Sequence, residues 1–221
     1  KSYSIRAVCS TEWPALFAPF NMKGFPMAKI AIVYHSGYGH TAKVTEHVRK
    51  GAAEAGSDVT LYKAEDLASP ESGPWDELAA ADAIIFGAPT YMGSASAPMK
   101  QFMDASSKAW FTDAWKDKIA AGFTNSGSLA GDKSGTLAQF ATLAAQQGMI
   151  WVNFGMKSGF NASGHDFSEA LNRAGHSNGL ATQALTDLSA EDGPDAADLK
   201  TAELFGERVA NATQRWARGK S

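Results

Sequence analysis

Short apolar runs alternate with amphipathic stretches along most of the chain. Residues 29–34 (KIAIVY) form a brief β-branched run, the pattern of a parallel strand buried on both faces. Residues 41–55 follow, with Ala42, Val44, Val48 and Ala52 near helical spacing. Gly56 closes that segment as helices commonly close. Residues 58–62 (DVTLY), 82–87 (DAIIFG), 118–124 (KIAAGFT) and 149–153 (MIWVN) predict further strands. Residues 75–81, 97–108, 136–147 and 197–216 predict helices, with Met99, Phe102 and Met103 on one side of 97–108. The alternation implies an α/β fold: a doubly wound, five-stranded parallel sheet between two helical layers. Right-handed crossovers leave few topologies. Residues 154–195, rich in Gly, Asn, Ser and Asp, break the rhythm. A loop of about 40 residues is long for a compact domain and points to a function. Within it, 180–185 is a candidate for one more short strand.

The first 26 residues share none of this patterning. Met27 opens the regular pattern, so 1–26 reads as an extension or remnant and 27–221 as one domain. A transit peptide is the alternative; a secretory signal would need an apolar stretch that is missing. The chain carries a net charge of -3, and 27–221 alone is more acidic, with 17 basic and 22 acidic residues. No Lys/Arg run marks a nucleic-acid partner. The single cysteine, Cys9, allows no intrachain disulfide, and no Cys/His spacing resembles a metal site. A reducing compartment, the cytoplasm, is the expected location. No apolar run approaches the ~18 residues needed to insert in a membrane.

Chemistry concentrates after the first strand, at Ser36, Gly37, Tyr38, Gly39, His40 and Thr41. A helix N-terminus offers unpaired N–H groups and a positive dipole end, so an anion is welcome there. Gly37 and Gly39 permit a tight wrap of amides, and Ser36 and Thr41 add hydroxyls. No lysine follows, so this is not a Walker A loop. The bland reading is a glycine turn that merely joins strand to helix. A rival reading is the dinucleotide fingerprint in Gly37-x-Gly39-x-x-Ala42, but its acid is expected near the end of strand two, where Glu65 comes late.

Two more loops belong at the same sheet edge. One holds Ala88, Pro89, Thr90, Tyr91, Met92 and Gly93; the other Asn125, Ser126, Gly127, Ser128, Leu129, Ala130 and Gly131. Together with the first loop they suit a planar ring whose tail ends in one phosphate, the shape of FMN.

These segments resemble the flavodoxin-like superfamily, specifically the WrbA family of NAD(P)H:quinone oxidoreductases (tryptophan-repressor-binding protein A). The likeness rests on KIAIVYHSGYGHT at 29–41, DAIIFGAPTYMGSASAPMKQFMD at 82–104, KAW at 108–110, GFTNSGS at 122–128 and QQGM at 146–149. The resemblance implies FMN as cofactor, NAD(P)H as donor, a quinone as substrate, and a homodimer or homotetramer. It implies that Ser36 to Thr41 cradle the phosphate. Pro89 to Gly93, with Thr90, Tyr91 and Met92 foremost, would meet the ring. Asn125 to Ala130 would meet the ribityl chain and the pyrimidine side. Tyr38 matches a position that meets the nicotinamide nucleotide, and Trp110 an aromatic that lines the quinone pocket. Gln147 stands where the family has a histidine near the flavin, and Leu129-Ala130-Gly131 where it runs to consecutive glycines.

Other candidates carry blander readings. His40 is expected to contribute its backbone amide, His165 and His176 to be solvated, and Trp115 to join a core or an interface. Asp132, Asp166 and Glu169 read as surface charges. No Ser/His/Asp or Cys/His set stands out, which suits chemistry supplied by a cofactor. An electron carrier and a low-turnover FMN-binding protein remain the alternatives to an enzyme. Carriers that dock on basic partners are usually more acidic than this chain.

Overall fold

The computed structural model describes residues 27–219. The segment read as an extension, 1–26 with Cys9, lies outside the described residues. Strands β1 (Lys29–Tyr34), β2 (Asp58–Lys63) and β3 (Ala83–Tyr91) lie parallel, with β1 between the other two. A two-residue strand, β4 (Ser94–Ala95), folds back on β3, and β5 (Ile119–Ser126) runs parallel to it on the far side. The order β2-β1-β3-β5 reverses direction at β1, where a doubly wound sheet opens a crevice at its carboxyl edge.

The expected fifth strand is built differently. Strand β6 (Ile150–Trp151) pairs with the start of β5, and β7 (Leu180–Gln183) pairs with its end. The fifth position is thus shared by two segments separated by residues 152–179. The run 149–153 stops early because Asn153 is pulled off the sheet: its carbonyl and side chain accept hydrogen bonds from Arg208 at 2.7 and 3.1 Å. Beyond it, Phe154 packs edge-on against Phe205.

Helices α1 (His40–Glu54) and α6 (Ala196–Arg218) cover one face of the sheet. Helices α2 (Trp75–Ala80), α3 (Ala97–Ala105), α4 (Ser107–Phe111) and α5 (Lys133–Gln146) belong to the other. Side chains along β3 alternate between the two cores: Ile84, Phe86 and Ala88 face Phe102, Trp115 and Phe140, while Ala83 and Ile85 face Val44, Phe205 and Val209. The stretch expected as one helix, 97–108, breaks at Ser106, whose hydroxyl turns back onto the Met103 carbonyl at 2.7 Å.

Helices α1 and α6 approach closely enough that their backbones touch. A Cβ on Gly51 would lie 1.9 Å from the Glu203 carbonyl oxygen, and one on Gly206 2.0 Å from that of Val48. Glu203 also joins the pair electrostatically, accepting from His47 and Lys50 of α1 and from Lys200. No helix among the described residues is long and apolar enough to cross a membrane.

Candidate functional site

At the carboxyl end of β1 the chain turns sharply into α1. Gly39 (φ +89°) begins the helix without a side-chain cap, a left-handed geometry that glycine adopts freely. Ser36 Oγ accepts from the Ala42 amide at 3.0 Å. The amides of Gly37, Tyr38, Gly39, His40 and Thr41 donate to no acceptor among the described residues. A Cβ on Gly37 would meet the Tyr91 hydroxyl at 2.6 Å, and one on Gly39 would meet Ala190 at 2.7 Å. The loop therefore presents bare backbone, walled by packed side chains.

The second element is a hairpin rather than the expected open loop. Strand β3 continues past Gly87 to Tyr91, because Ala88 and Pro89 still pair with Thr124 and Asn125 of β5. Its pairing with β1 ends at Gly87, so Pro89, which has no N–H, falls where the missing donor costs nothing. Met92 (φ +48°) and Gly93 (φ +82°) form the two-residue turn between Tyr91 and Ser94, the paired left-handed geometry of a tight hairpin. Thr90 Oγ1 lies 2.8 Å from both Thr124 Oγ1 and Thr136 Oγ1, a buried hydroxyl cluster that fixes the strand end to β5 and α5. Tyr91 meets Tyr38 edge to face at 6.2 Å, and burial, reinforced by Tyr38, pushes its phenol up from the ordinary value. Met92 is fully exposed.

The third element is the end of β5 and its loop. Asn125 is buried and its Oδ1 accepts from Thr182 at 2.9 Å, which leaves its NH2 for another partner. Beyond it the carbonyls of the loop all turn toward the protein. Gly127 O accepts from Gln183 Nε2 at 2.9 Å and Ala130 O from the Lys133 amide at 3.1 Å. Lys133 Nζ donates to the carbonyls of Ser128 and, at 2.9 Å, Leu129. In a trans peptide the following N–H points the opposite way. The amides of Ser128, Leu129, Ala130 and Gly131 thus face outward, and none finds an acceptor among the described residues.

These elements enclose one crevice of about 800 Å³, within the usual range of small-molecule sites. Tyr38, His40, Thr41, Pro89, Thr90, Tyr91, Met92, Asn125, Ser126 and Gly127 line it, joined by Ala184, Thr186 and Leu188. These last three were not singled out in the sequence. They follow β7, and only its pairing with the end of β5 brings them to the crevice. The segment also locks onto α1: His40 Nε2 lies 2.9 Å from the Leu188 carbonyl, and Lys43 donates to that of Glu191 at 2.6 Å. The His40 side chain is therefore engaged by the wall, and its amide is the part left for a ligand.

Some sequence candidates fall elsewhere. Gly93 and Ala130 line a second hollow together with His176, and Ser128 and Leu129 are exposed. Gln147 does not reach its own chain's crevice. It follows the end of α5, at the opposite edge of the sheet, where Nε2 donates to the Ser106 carbonyl and hydroxyl at 3.2 and 3.0 Å. Trp110 is also remote from that crevice, half-exposed on α4 beside the more exposed Phe111. Strand–helix alternation explains both: α3 and α5 start at the carboxyl edge and deliver whatever follows them to the other end. Trp115 is fully buried in the core.

The family model for NADPH-dependent FMN reductase matches residues 28–158, more than half of the chain. The chain belongs to this family. Its relatives match it along most of its length. It is 41% identical over 189 residues to flavodoxin FldP of Pseudomonas aeruginosa, covering 86% of this chain and 98% of that one. It is 31% identical to an NAD(P)H dehydrogenase (quinone) of Archaeoglobus fulgidus over 208 residues, 86% of this chain and 99% of the other. Among solved structures, a WrbA-like flavodoxin from Agrobacterium tumefaciens superposes with a TM-score of 0.64 at 39% identity, covering 85% and 98% of the two chains. The flavodoxin-like fold and the WrbA-type resemblance both stand.

The crevice meets the needs of FMN on its own geometry. One end offers a cluster of free amides with the Thr41 hydroxyl and no Lys or Arg among its lining residues, suited to a single phosphate held by many hydrogen bonds. The walls supply aromatic and apolar faces in Tyr91, Met92 and Leu188.

Proposed function

We propose that this chain is an FMN-dependent NAD(P)H:quinone oxidoreductase. The reading is carried by one coincidence: an uncharged amide cradle at a helix N-terminus opens into a slot sized for a flat ring. When bound, FMN would supply two-electron chemistry between NAD(P)H and a quinone. The protein binds and orients. Ser36 to Thr41 hold the phosphate. Asn125 to Gly127 meet the ribityl chain. Tyr91 and Met92 pack on the ring, and the outward amides of the 128–131 segment meet its pyrimidine side. Tyr38, exposed at the mouth, meets the nicotinamide.

The resemblance puts Trp110 at the quinone and Gln147 near a flavin, yet both lie at the other end of their own chain. They reach a ring only across a contact between subunits, so the working form is a homodimer or homotetramer. The exposed Trp110–Phe111 pair offers apolar surface for that contact.

The test is the visible spectrum of the purified protein, then steady-state NADPH oxidation with benzoquinone. Flavin bands that bleach anaerobically with NADPH, together with turnover, are the expected result; a protein that stays colourless when soaked in FMN defeats the reading. The flavodoxin name of the P. aeruginosa relative favours a second reading, an electron carrier. It predicts bound FMN with negligible NADPH turnover.

A further inference from the structure

Lys133 is the first residue of α5 and fully buried, yet among the described residues no carboxylate bonds its ammonium. Asp198, the carboxylate of α6 that acts on it, is taken by Arg173 at 3.0 and 3.2 Å and by the Gln183 amide at 2.7 Å. Among the described residues the Lys133 ammonium donates hydrogen bonds only to the carbonyls of Ser128 and Leu129. A buried cation held by neutral dipoles alone is costly. Lys133 brings no matching ion-pair energy to the fold, and it sits behind the 128–131 segment, which continues directly from the crevice-lining Asn125 to Gly127.

We propose that Lys133 is a positioning residue for the reduced flavin: it draws two carbonyls of the 127–131 loop inward, so that the intervening amides face the ring, and sets a positive charge behind them. This rests on the FMN reading above. Adding electrons to the ring places negative charge on its pyrimidine side, and preorganised donors backed by a cation favour that state over the oxidised one. Either alone would do less. Without the cation the loop carbonyls lose their partners and are free to turn; without the turned loop the charge has no dipoles through which to act.

The charge is also switchable. Burial, partly offset by Asp198 and reinforced by Arg173, brings the Lys133 ammonium down to about 8. The groups facing it are Asp198 of α6, Arg173 and His176 of the 152–179 excursion, and Asp132 beside it on its own element. Arg173 keeps its charge throughout. Burial and Lys133 hold His176 below its ordinary value, so it is neutral before Lys133 titrates. Burial raises Asp198, opposed by the Gln183 amide and by Arg173. Lys133, at about 8, titrates between the lowered His176 and the raised Arg173.

The experiment compares the native chain with Lys133→Met, which keeps length and loses the charge. In the flavin-free protein, amide NMR resonances of Ser128 to Gly131 should follow a transition near pH 8 in the native chain and none in the variant. With FMN bound, the variant should favour oxidised over reduced flavin at pH 7 by about tenfold more than the native chain, or about 30 mV for a two-electron couple. That gap should close by pH 9.5, where the native lysine is neutral. Loop resonances indifferent to pH between 7 and 9.5, or a potential gap that persists at pH 9.5, would overturn the proposal. If Lys133→Met fails to fold, the native chain's own loop transition and the pH dependence of its potential decide the matter. A native chain that shows the loop transition but binds no FMN refutes the flavin role here and the functional reading with it; one that binds FMN but shows no transition refutes the Lys133 role alone.

Discussion

Replacing Gly206 with alanine sets two known effects against each other. In an exposed helix, Gly→Ala stabilises by about 1 kcal/mol through backbone entropy. Here the new methyl would sit 2.0 Å from the Val48 carbonyl oxygen and 3.0 Å from the Ala52 nitrogen, both backbone atoms of α1. Neither can swing aside as a side-chain tip would, so the helices must part by roughly 1 Å or more to restore ordinary contact. That gap forfeits a quarter to a half of the dispersion energy between facing side chains such as Val44, Val48, Phe205 and Val209. Overpacking of this kind costs about 1–3 kcal/mol before contact losses are added. The geometry wins, and Gly206→Ala should be destabilised by about 2 kcal/mol net, or about 4–8 °C in Tm for a domain of this size. Urea and thermal denaturation read this directly. Gly51→Ala should behave alike, since its methyl would lie 1.9 Å from the Glu203 carbonyl oxygen. The double variant should cost much less than the sum, because one displacement relieves both clashes. A Gly206→Ala protein as stable as the native chain would refute the close approach of α1 and α6.

Three further outcomes are expected. Thr41→Glu, placing a carboxylate where a phosphate would sit, should abolish FMN retention, since like charges about 4 Å apart repel by about 4 kcal/mol near a protein surface; full flavin occupancy by absorbance would contradict the phosphate cradle. Met92→Asn should raise stability by about 0.5–1 kcal/mol, because asparagine tolerates the left-handed turn that methionine does not, while weakening FMN binding by fluorescence titration; no change in either would remove Met92 from the site. Glu203→Gln tests linkage: burial resists the Glu203 charge, but hydrogen bonds from Lys50, Lys200 and His47 outweigh it and bring its carboxyl down to about 2. Its contribution is therefore present above the unfolded value near 4.5 and lost as pH falls toward 2. Because Lys50 and Lys200 are half-exposed, screening trims it to about 1–2 kcal/mol at pH 7; equal destabilisation at pH 7 and pH 2 would contradict the pairing.

The strands and helices nearest the site were legible because local chemistry specifies them. KIAIVY cannot be exposed on either face, and SGYGHT can only be a turn into a helix. The cradle and Asn125 to Gly127 followed from that logic. Ala88-Pro89 misled, because proline looks like a strand end; it is tolerated where β1 has already stopped. The wall at Ala184, Thr186 and Leu188 was illegible for a different reason: β7 reaches the site through pairing with β5, and no local pattern encodes a partner so distant in sequence. Gln147 and Trp110 show the limit of carrying roles by resemblance, since a position can match a relative's site residue without lying near its own chain's crevice. Lys133 was hidden because a lysine one residue past Asp132 reads as surface, and only the inward carbonyls of the loop reveal that it is swallowed.

The shared fifth strand position separates two jobs that one continuous strand would fuse. β6 seals the lower sheet with Ile119 and Ala120, whereas β7 carries Thr182, which steadies Asn125, and leads into the Leu188 segment. More than ladder bonds hold β7: Leu180 is buried in the core with Phe123 and Phe205, the Gln183 amide donates to Asp198 at 2.7 Å, and its side chain donates to the Gly127 carbonyl at 2.9 Å. The back of the crevice is thereby set by pairing and packing distant in sequence, while the lower edge of the sheet is completed by a separate segment.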